Sequence, residues 1–301
     1  MKTLICIPVF NGASYIEKSI KSCLSQTVQV EIWVFDNCST DDTCEIVNQY
    51  LSKHKNIKLF VNEYNLGRVG NWNRCLDRFM DSHYEYIKFL FPGDELFSGC
   101  IDKVEKIFDK YKNLGAVYFP YEFINTNGTS GIYRAYNKDK IFNSKEITKI
   151  QLSEGSKLGA IICNTYSRYA ILNHRFNKNF ISKVEFDIRV LENHDLYYIN
   201  ECLASFLKEA HNTFDSANSP WVYFEFSYIL AKESERIKKL KLFSESEFIK
   251  IEQLQILKGN KDQITFLSRR SKFILLLVLI KQIIISELKN IKNLLKFLLK
   301  I

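Results

Sequence analysis

The sequence predicts an α/β fold, with a Rossmann-like, mostly parallel sheet, flanking helices and a C-terminal helical extension. Three observations support this class. Strand-like and helix-like segments alternate from residue 3 to residue 120, a pattern typical of a parallel sheet covered by helices. Unusually polar segments follow the strands, where open parallel sheets bind ligands. The chain of 301 residues is long enough to bury a sizeable core.

The first half of the chain supplies the elements of this sheet. Segments rich in β-branched or aromatic residues predict five strands, at 3–9, 30–35, 57–62, 86–91 and 115–120. Apolar residues at helical spacing predict four intervening helices, around 15–24, 47–51, 72–79 and 101–108. The stretch 125–131, rich in Gly, Asn, Thr and Ser, predicts a hairpin or loop, and the chain after about residue 217 is mostly helical by pattern.

Composition narrows the class of protein. Hydrophobic residues make up 46% and charged residues 25%, which is typical of globular proteins and excludes disorder. Eight scattered cysteines without a C-x-x-C pair favour reduced thiols. The start of the chain lacks a signal-peptide core, and the longest apolar run, 273–280, is too short to span a bilayer. We therefore expect a cytoplasmic protein.

The segments after the strands contain the candidate ligand-binding residues. These segments, at or just beyond the strand ends, are 8–12 for the first strand, 36–43 for the second, 62–68 for the third and 92–95 for the fourth. None of them is a G-x-G-x-x-G or a Walker loop, so a different nucleotide site is required. Asp36 is suited to accept hydrogen bonds from a base or ribose, whereas the run 39–43 also reads as a strand-to-helix turn.

These segments together resemble family 2 glycosyltransferases, which have the A-type nucleotide-sugar fold. The resemblance rests on IPVFNGASYIEKSIKSCLSQTVQVEIWVFDNCSTDDT (7–43), NEYNLGRVGNWN (62–73) and IKFLFPGDELF (87–97). It is close over 3–120, loose to about 215, and absent from the tail. It implies a glycosyltransferase domain over 1–215, with a nucleotide-binding half (1–120) and an acceptor half (121–215), before a helical extension (216–301).

The resemblance also implies a binding site for a nucleotide sugar, most simply a UDP-sugar. Three residues at and just beyond the end of the first strand would line the nucleotide pocket, and Asp36 would face the nucleobase. The loop after the third strand would pass the ribose and diphosphate, with Arg68 adding positive charge. The residues implied are Pro8, Phe10, Asn11, Asp36, Asn65, Gly67, Arg68 and Asn71.

A divalent ion, Mn²⁺ or Mg²⁺, is implied by the family's Asp-x-Asp motif. Here the matching stretch reads Phe91-Pro92-Gly93-Asp94, so only Asp94 stands at a matching position. One or two carboxylates suffice for such ions. The alternative for Asp94 is a helix cap. His211 lies in a segment that resembles the family's late loop, where a His reaches the metal or diphosphate, although a surface histidine is an equal alternative.

An inverting transfer needs a base that deprotonates the acceptor hydroxyl. The family supplies it from a Glu-Asp pair at the start of a helix, and Asp195 matches the base, with His194 in place of the Glu. Asp195 is alternatively a carboxylate that complements a helix dipole. Glu192 is the reserve candidate.

The tail carries most of the excess charge of +8. Residues 269–301 hold eight Lys and Arg against one Glu. Lysines between aliphatic clusters at 270–301 predict an amphipathic helix on an anionic membrane surface, with packing on a second subunit (a homo-oligomer) as the alternative. The dense aliphatic content argues against nucleic acid.

The sequence therefore predicts an inverting, metal-dependent glycosyltransferase. The resemblance implies a glycan or polyprenol-linked acceptor in bacterial surface polysaccharide synthesis, with the enzyme peripheral on the inner face of the cytoplasmic membrane. Two alternatives stay open. The incomplete metal motif favours a nucleotide-sugar-binding protein without turnover, and the tail favours a membrane-associated adaptor on the same fold.

Overall fold

The computed structural model describes residues 1–125, 127–154, 158–178, 182–210, 229, 232–248 and 250–251. The strands are β1 (Thr3–Val9), β2 (Glu31–Asp36), β3 (Ile57–Val61), β4 (Tyr86–Phe89), β5 (Glu95–Leu96), β6 (Leu114–Tyr118), β7 (Tyr121–Ile124), β8 (Ser130–Tyr133), β9 (Lys140–Phe142), β10 (Asn164–Ser167), β11 (Asp195–Tyr198) and β12 (Ala204–Leu207). The helices are α1 (Ile16–Leu24), α2 (Thr43–Leu51), α3 (Gly67–Met80), α4 (Cys100–Lys110), α5 (Ser144–Glu154), α6 (Arg168–Ile171) and α7 (Ser182–Leu191).

Within the described residues, eight strands form one sheet in the order β3-β2-β1-β4-β10-β6-β11-β9. Strands β1 to β4, β6 and β11 run in one direction, because β10 is antiparallel to both β4 and β6 and β11 is parallel to β6. The sheet is therefore mostly parallel, as predicted, with β10 and β9 reversed. The five predicted strands and four predicted helices are all present, with ends shifted by a few residues.

Helices cover both faces of the sheet because successive strand residues point to opposite sides. On β1, Ile5 and Ile7 pack in a core with apolar residues of α1, α2 and α4. Leu4 and Cys6 pack in a second core with residues of α3, α5, α6 and α7. All five residues of β6 are buried, as expected for a strand covered on both faces.

A second sheet of four strands, in the order β5-β12-β7-β8, is added beyond residue 90. Strands β7 and β8 form an antiparallel hairpin, so the hairpin predicted around 125–131 is confirmed. Strand β12 lies parallel to β7 and antiparallel to the short β5. Because β5 follows β4 in the chain and pairs with β12, this small sheet holds the segment after β4 next to β12.

The helical residues 232–239 pack on α7 through both apolar and charged side chains. Arg189 of α7 pairs with Glu233 at 2.9 Å, and Arg236 pairs with Glu192 at 2.5 Å. Glu233 is fully buried, and Ile237 of the same segment packs with Val184 and Ile188 of α7, so this helix is held against the domain. The predicted basic tail, 270–301, and its membrane and oligomer contacts lie outside the described residues. In the part of the chain that the structure describes, no helix has the length and apolar content needed to cross a bilayer.

Candidate functional site

A cavity of about 490 Å³ opens at the carboxyl edge of the eight-stranded sheet. This volume is in the range of small-molecule sites. The strand-end segments converge there, as predicted. It is lined by Pro8, Val9, Phe10, Asn11, Gly12, Tyr15, Asn37, Asn65, Arg68, Asn71, Trp72, Phe91, Pro92, Ala160, Ile161, Ile162, Phe206 and Ala210.

The two halves of the cavity differ in polarity. Near β1, β2 and β3 the wall carries the side-chain amides of four asparagines and the guanidinium of Arg68. Near β4, β10 and β12 the described wall is apolar, formed by residues such as Phe91, Ile161 and Phe206. Among the described lining residues, Arg68 is the one with a formal charge, so the polar half is suited to an anionic ligand.

The loop after β1 is held in shape by the loop after β2. Asn11 has a left-handed backbone (φ 51°), and its Oδ1 accepts a hydrogen bond from the backbone N–H of Thr40 at 2.8 Å. The backbone N–H groups of Gly12 and Ala13 donate to Thr43 Oγ1 and Asp41 Oδ2. The 39–43 run, predicted as a turn, therefore supports the loop after β1 that forms part of the cavity wall. Phe10, in this loop, is 49% exposed at the mouth of the cavity.

Asp36 does not reach the cavity. It is fully buried at the end of β2, and its Oδ2 accepts a hydrogen bond from the Ser39 N–H at 2.9 Å. Its neighbour Asn37 lines the cavity instead. Gly67 also lies off the wall; its φ of +73° at the start of α3 allows the turn between Asn65 and Arg68. The other six predicted nucleotide-binding residues line the cavity.

The segment from Phe91 to Asp94 forms a tight turn below the cavity. Pro92 and Gly93 (φ +90°) occupy its centre, and the Asp94 N–H donates to the Phe91 carbonyl at 3.0 Å. Pro followed by a glycine at positive φ is typical of a type II turn. The Ser19 hydroxyl of α1 lies 2.9 and 2.8 Å from the carbonyl oxygens of Phe91 and Asp94 and shares its proton between them. The turn is thereby tied to α1.

Asp94 is fully buried two residues beyond the lining residue Pro92. Its Oδ1 accepts a hydrogen bond from the Leu207 N–H at 3.1 Å. A carboxylate is a hard oxygen donor, and Mg²⁺ or Mn²⁺ at a diphosphate needs only one or two from the protein, so Asp94 has the donor chemistry of a ligand, but it is not among the residues that line the cavity. No group of three or more His, Cys, Asp or Glu that could hold a metal ion occurs among the residues with described positions. His211, the second predicted ligand, lies outside them.

Lys88 is a fully buried cation beneath the wall next to β10. Its Nζ donates to the carbonyl oxygens of Asn164, at 3.1 Å, and of Ile162, which lines the cavity. Burial lowers the pKa of Lys88 to about 8, although nearby groups including the Asp94 carboxylate act in the opposite direction. This lysine fixes the 3₁₀ turn Ile161–Cys163 that shapes the apolar half.

Asp195 lies at the opposite edge of the sheet, which contradicts its predicted role as the base. It starts β11 and pairs with Leu114, the first residue of the parallel strand β6. The cavity lies beyond the other end of these strands, on the order of 10 Å away at about 3.3 Å per residue. Asp195 Oδ1 accepts a hydrogen bond from the Ser144 N–H at 2.9 Å, at the start of α5.

The error arose because the helix predicted at Asp195 is a strand. The run Leu196–Tyr198 is buried and aromatic-rich, as suits a strand inside a sheet. Asp195 still complements a helix N-terminus, that of α5. Glu192, the reserve candidate, also lies off the cavity wall, and its Oε2 pairs with Arg236.

Sequence reasoning missed the apolar wall formed by Ala160, Ile161 and Ile162. These residues precede β10, which is antiparallel to its neighbours and therefore begins at the carboxyl edge. A search of the segments that follow parallel strands does not find them. The available signal was the apolar run before the strand-like segment 164–167.

Comparison with known proteins identifies the family. Residues 4–174 match the model of glycosyl transferase family 2, more than half of the chain. The chain belongs to this family. An uncharacterized glycosyltransferase of Haemophilus influenzae is 31% identical over 157 residues, covering 51% of this chain and 57% of the relative. The GalNAc(5)-diNAcBac-PP-undecaprenol beta-1,3-glucosyltransferase of Campylobacter jejuni is 29% identical over 183 residues, covering 60% and 56%.

Two solved structures share the fold of this family member. Staphylococcus aureus TarS in complex with UDP-GlcNAc superimposes with a TM-score of 0.64 at 18% identity, covering 88% of this chain and 73% of that one. The mannosyltransferase PcManGT of Pyrobaculum calidifontis, in complex with GDP-Man and Mn²⁺, gives a TM-score of 0.53 at 12% identity, covering 94% and 80%. The matches to the two curated relatives span little more than half of each relative's length.

Proposed function

We propose that this family 2 member transfers a sugar from a UDP-sugar to a glycan or polyprenol-linked acceptor in bacterial surface polysaccharide synthesis, with inversion at the anomeric carbon. The observation that carries the proposal is the cavity at the carboxyl edge. Six of the eight predicted nucleotide-binding residues line it, with the cation Arg68 in its polar half.

The polar half is suited to the nucleotide. Phe10 offers an exposed ring at the mouth, and the exposed residues Asn11 and Asn65 carry amide groups along the wall. The Arg68 guanidinium carbon lies 5.1 Å from the centre of the Trp72 ring, and a guanidinium stacked on a ring can donate to a phosphate through its planar edge. A diphosphate beside Arg68 would place its sugar toward the apolar half.

A divalent ion would be held by Asp94, with His211 as a second proposed ligand. When bound, the ion neutralises the charge that develops on the departing nucleotide diphosphate. The chain itself fixes Asp94 through the Leu207 N–H and through the turn tied to Ser19. TarS binds UDP-GlcNAc and PcManGT binds GDP-Man with Mn²⁺, which supports this class of ligand on the shared fold.

The acceptor is proposed to meet the enzyme at a membrane. The Campylobacter jejuni relative is named for an undecaprenol-linked substrate. The basic tail, 270–301, would hold this chain on an anionic cytoplasmic surface. Deletion of 270–301 is expected to abolish co-flotation with vesicles that contain anionic lipid, and retained flotation would remove the tail from the proposal.

One observation favours a binding protein without turnover as the second candidate. Among the described lining residues there is no carboxylate, and the metal motif keeps only Asp94. A thermal-shift screen of nucleotide sugars, followed by donor hydrolysis with and without Mn²⁺, separates the two. Stabilisation with turnover supports the transferase, stabilisation without turnover supports the binding protein, and no stabilisation by any nucleotide sugar contradicts both. The anomeric configuration of the product tests inversion.

A further inference from the structure

The side-chain amide of Asn37 forms hydrogen bonds with the loop that precedes Arg68. Its side chain is 3% exposed and forms part of the cavity wall. Its Oδ1 accepts hydrogen bonds from the Leu66 N–H at 2.8 Å and from Asn62 Nδ2 at 2.9 Å. Its Nδ2 donates to Asn65 Oδ1 at 2.8 Å and lies 3.4 Å from the Gly67 carbonyl oxygen. One amide thus contacts three consecutive residues of the loop before Arg68.

Two backbone donors determine which way these amides point. The Leu66 N–H can only donate, so the atom of Asn37 that faces it is the oxygen. The Gly67 N–H donates to Asn65 Oδ1 at 2.8 Å, so that atom is also an oxygen. Asn37 must therefore present a donor to Asn65 and an acceptor to Leu66. A neutral amide meets both requirements, and a carboxylate does not.

The arrangement continues into the body of the domain. Asn62 Nδ2 also donates to Asn71 Oδ1 at 3.1 Å, and Asn71 Nδ2 donates to the Phe35 carbonyl oxygen of β2 at 2.8 Å. The loop before Arg68 is therefore linked through buried side chains to the sheet itself. These hydrogen bonds hold the loop in one place relative to β2.

We propose that Asn37 is a positioning residue, whose neutral amide fixes the 65–68 loop, and with it Arg68, before a ligand enters. That the ligand is a nucleotide sugar rests on the proposed function. The geometry of the loop does not depend on which ligand binds. A carboxylate at position 37 would turn an oxygen toward Asn65 Oδ1 and the Gly67 carbonyl. Rotation of the Asn65 amide would relieve this repulsion only by leaving the Gly67 N–H without its acceptor.

The test compares Asn37→Asp with Asn56→Asp. Asn56 is a matched control because its Nδ2 also donates to a backbone carbonyl, that of Val30 at 2.9 Å, but at the amino edge of the sheet. Binding of a UDP-sugar is measured by calorimetry at about pH 8 and about pH 5, since burial raises the pKa of a carboxyl introduced at position 37. The neighbouring charged groups (Asp36, Glu63 and Arg68) are present in both proteins, so the ratio of the wild-type affinity to the variant affinity reports the effect of the carboxyl at position 37, including its interaction with Asp36.

At the higher pH we expect Asn37→Asp to bind about ten- to a hundredfold more weakly than wild type, and Asn56→Asp to bind like wild type. The deficit should shrink at the lower pH, because a protonated carboxyl presents both a donor and an acceptor. Wild-type affinity at both pH values, a deficit that does not change with pH, or an equal deficit in Asn56→Asp would overturn the proposal.

A second measurement separates failure of this proposal from failure of the proposed function. In Asn37→Ala the Leu66 N–H loses its acceptor, so amide hydrogen exchange should accelerate at 65–67 without any ligand. Exchange in β1 reports whether the variant stays folded, and Asn56→Ala should leave 65–67 unchanged. If no UDP-sugar binds the wild type but exchange at 65–67 rises, the proposed function fails and the positioning role stands. Unchanged exchange at 65–67 contradicts the role itself.

Discussion

The Asp94 carboxylate accepts a hydrogen bond from the backbone N–H of Leu207, at 3.1 Å and across 113 positions of the chain. The contact joins the turn after β4 to the end of β12. Leu207 also precedes Ala210, which lines the cavity. The proposed metal ligand is therefore fixed by the same small sheet that completes the wall of the cavity.

Replacement of Asp94 by Asn should separate its charge from its structural contact. The amide oxygen of Asn still accepts from the Leu207 N–H, so stability should change by about 1 kcal/mol or less. The loss of the charge should lower Mn²⁺-dependent turnover by roughly a hundredfold. Turnover is measured against Mn²⁺ concentration. Glu95→Gln, at a half-buried neighbour paired with Lys18, is the control and should lose little. Equal loss in both variants would remove Asp94 from the metal site.

Asp195→Ala should affect stability and not activity. Its carboxylate accepts from the Ser144 N–H at the start of α5, and loss of such a cap costs about 1 kcal/mol. Urea unfolding and donor turnover are measured on the same preparation. We expect the variant to be less stable than the wild type and its turnover to stay within about twofold of the wild-type value. A fall in turnover of a hundredfold or more at unchanged stability would restore Asp195 as the base.

Gly93→Ala should destabilise the protein by about 1–3 kcal/mol. Gly93 has a φ of +90°, and a Cβ there would lie 2.4 Å from the Ala210 Cβ. Gly128→Ala is the matched control, because Gly128 has a φ of +78° and a Cβ there would meet no described atom within 4 Å. Urea unfolding should show the larger loss for Gly93→Ala. Equal losses would mean that backbone conformation, and not the contact with Ala210, sets the cost.

Lys88 should make stability depend on pH above about pH 8. Burial lowers its pKa to about 8 in the folded chain, from 10.5 in the unfolded one. Between these values the unfolded state binds more protons, so the free energy of unfolding rises with pH by up to about 1.4 kcal/mol per pH unit. Below the folded pKa this contribution is constant.

The measurement is the difference between the unfolding free energies of wild type and Lys88→Met, followed from about pH 7 to about pH 10. The difference cancels the titration of tyrosines and cysteines that the two proteins share. We expect it to shift in favour of the wild type as the pH rises. A difference that stays flat would mean that Lys88 keeps its proton throughout this range.

The sequence was informative where each element carries its own pattern. β1 to β4 and β6 are marked by their β-branched and aromatic residues, and the segments after β1 to β4 predicted the site because parallel strands end at one edge. Asn11 and Arg68, which belong to these segments, line the cavity. Neither finding required knowledge of long-range pairing.

The positions of several predicted site residues depend on strand pairing between distant parts of the chain, which the sequence pattern does not show. Asp195 looked like the first turn of a helix, and only its pairing with Leu114 shows a strand that starts at the far edge. Asp36 and Asn37 are adjacent, and the pattern does not show which of them faces the cavity. The buried contact between Asp94 and Leu207 depends on the small sheet, whose strand β5 has only two residues and no pattern of its own.

Calorimetric titration of a UDP-sugar into wild type, Arg68→Ala and Lys106→Ala tests most directly whether a nucleotide diphosphate occupies the cavity. Lys106 is an exposed control on α4. We expect the wild type and Lys106→Ala to bind alike, and Arg68→Ala to bind about tenfold more weakly or worse, since it lacks the charged partner of the diphosphate. Absence of binding by the wild type, or equal affinity in all three proteins, would contradict the account.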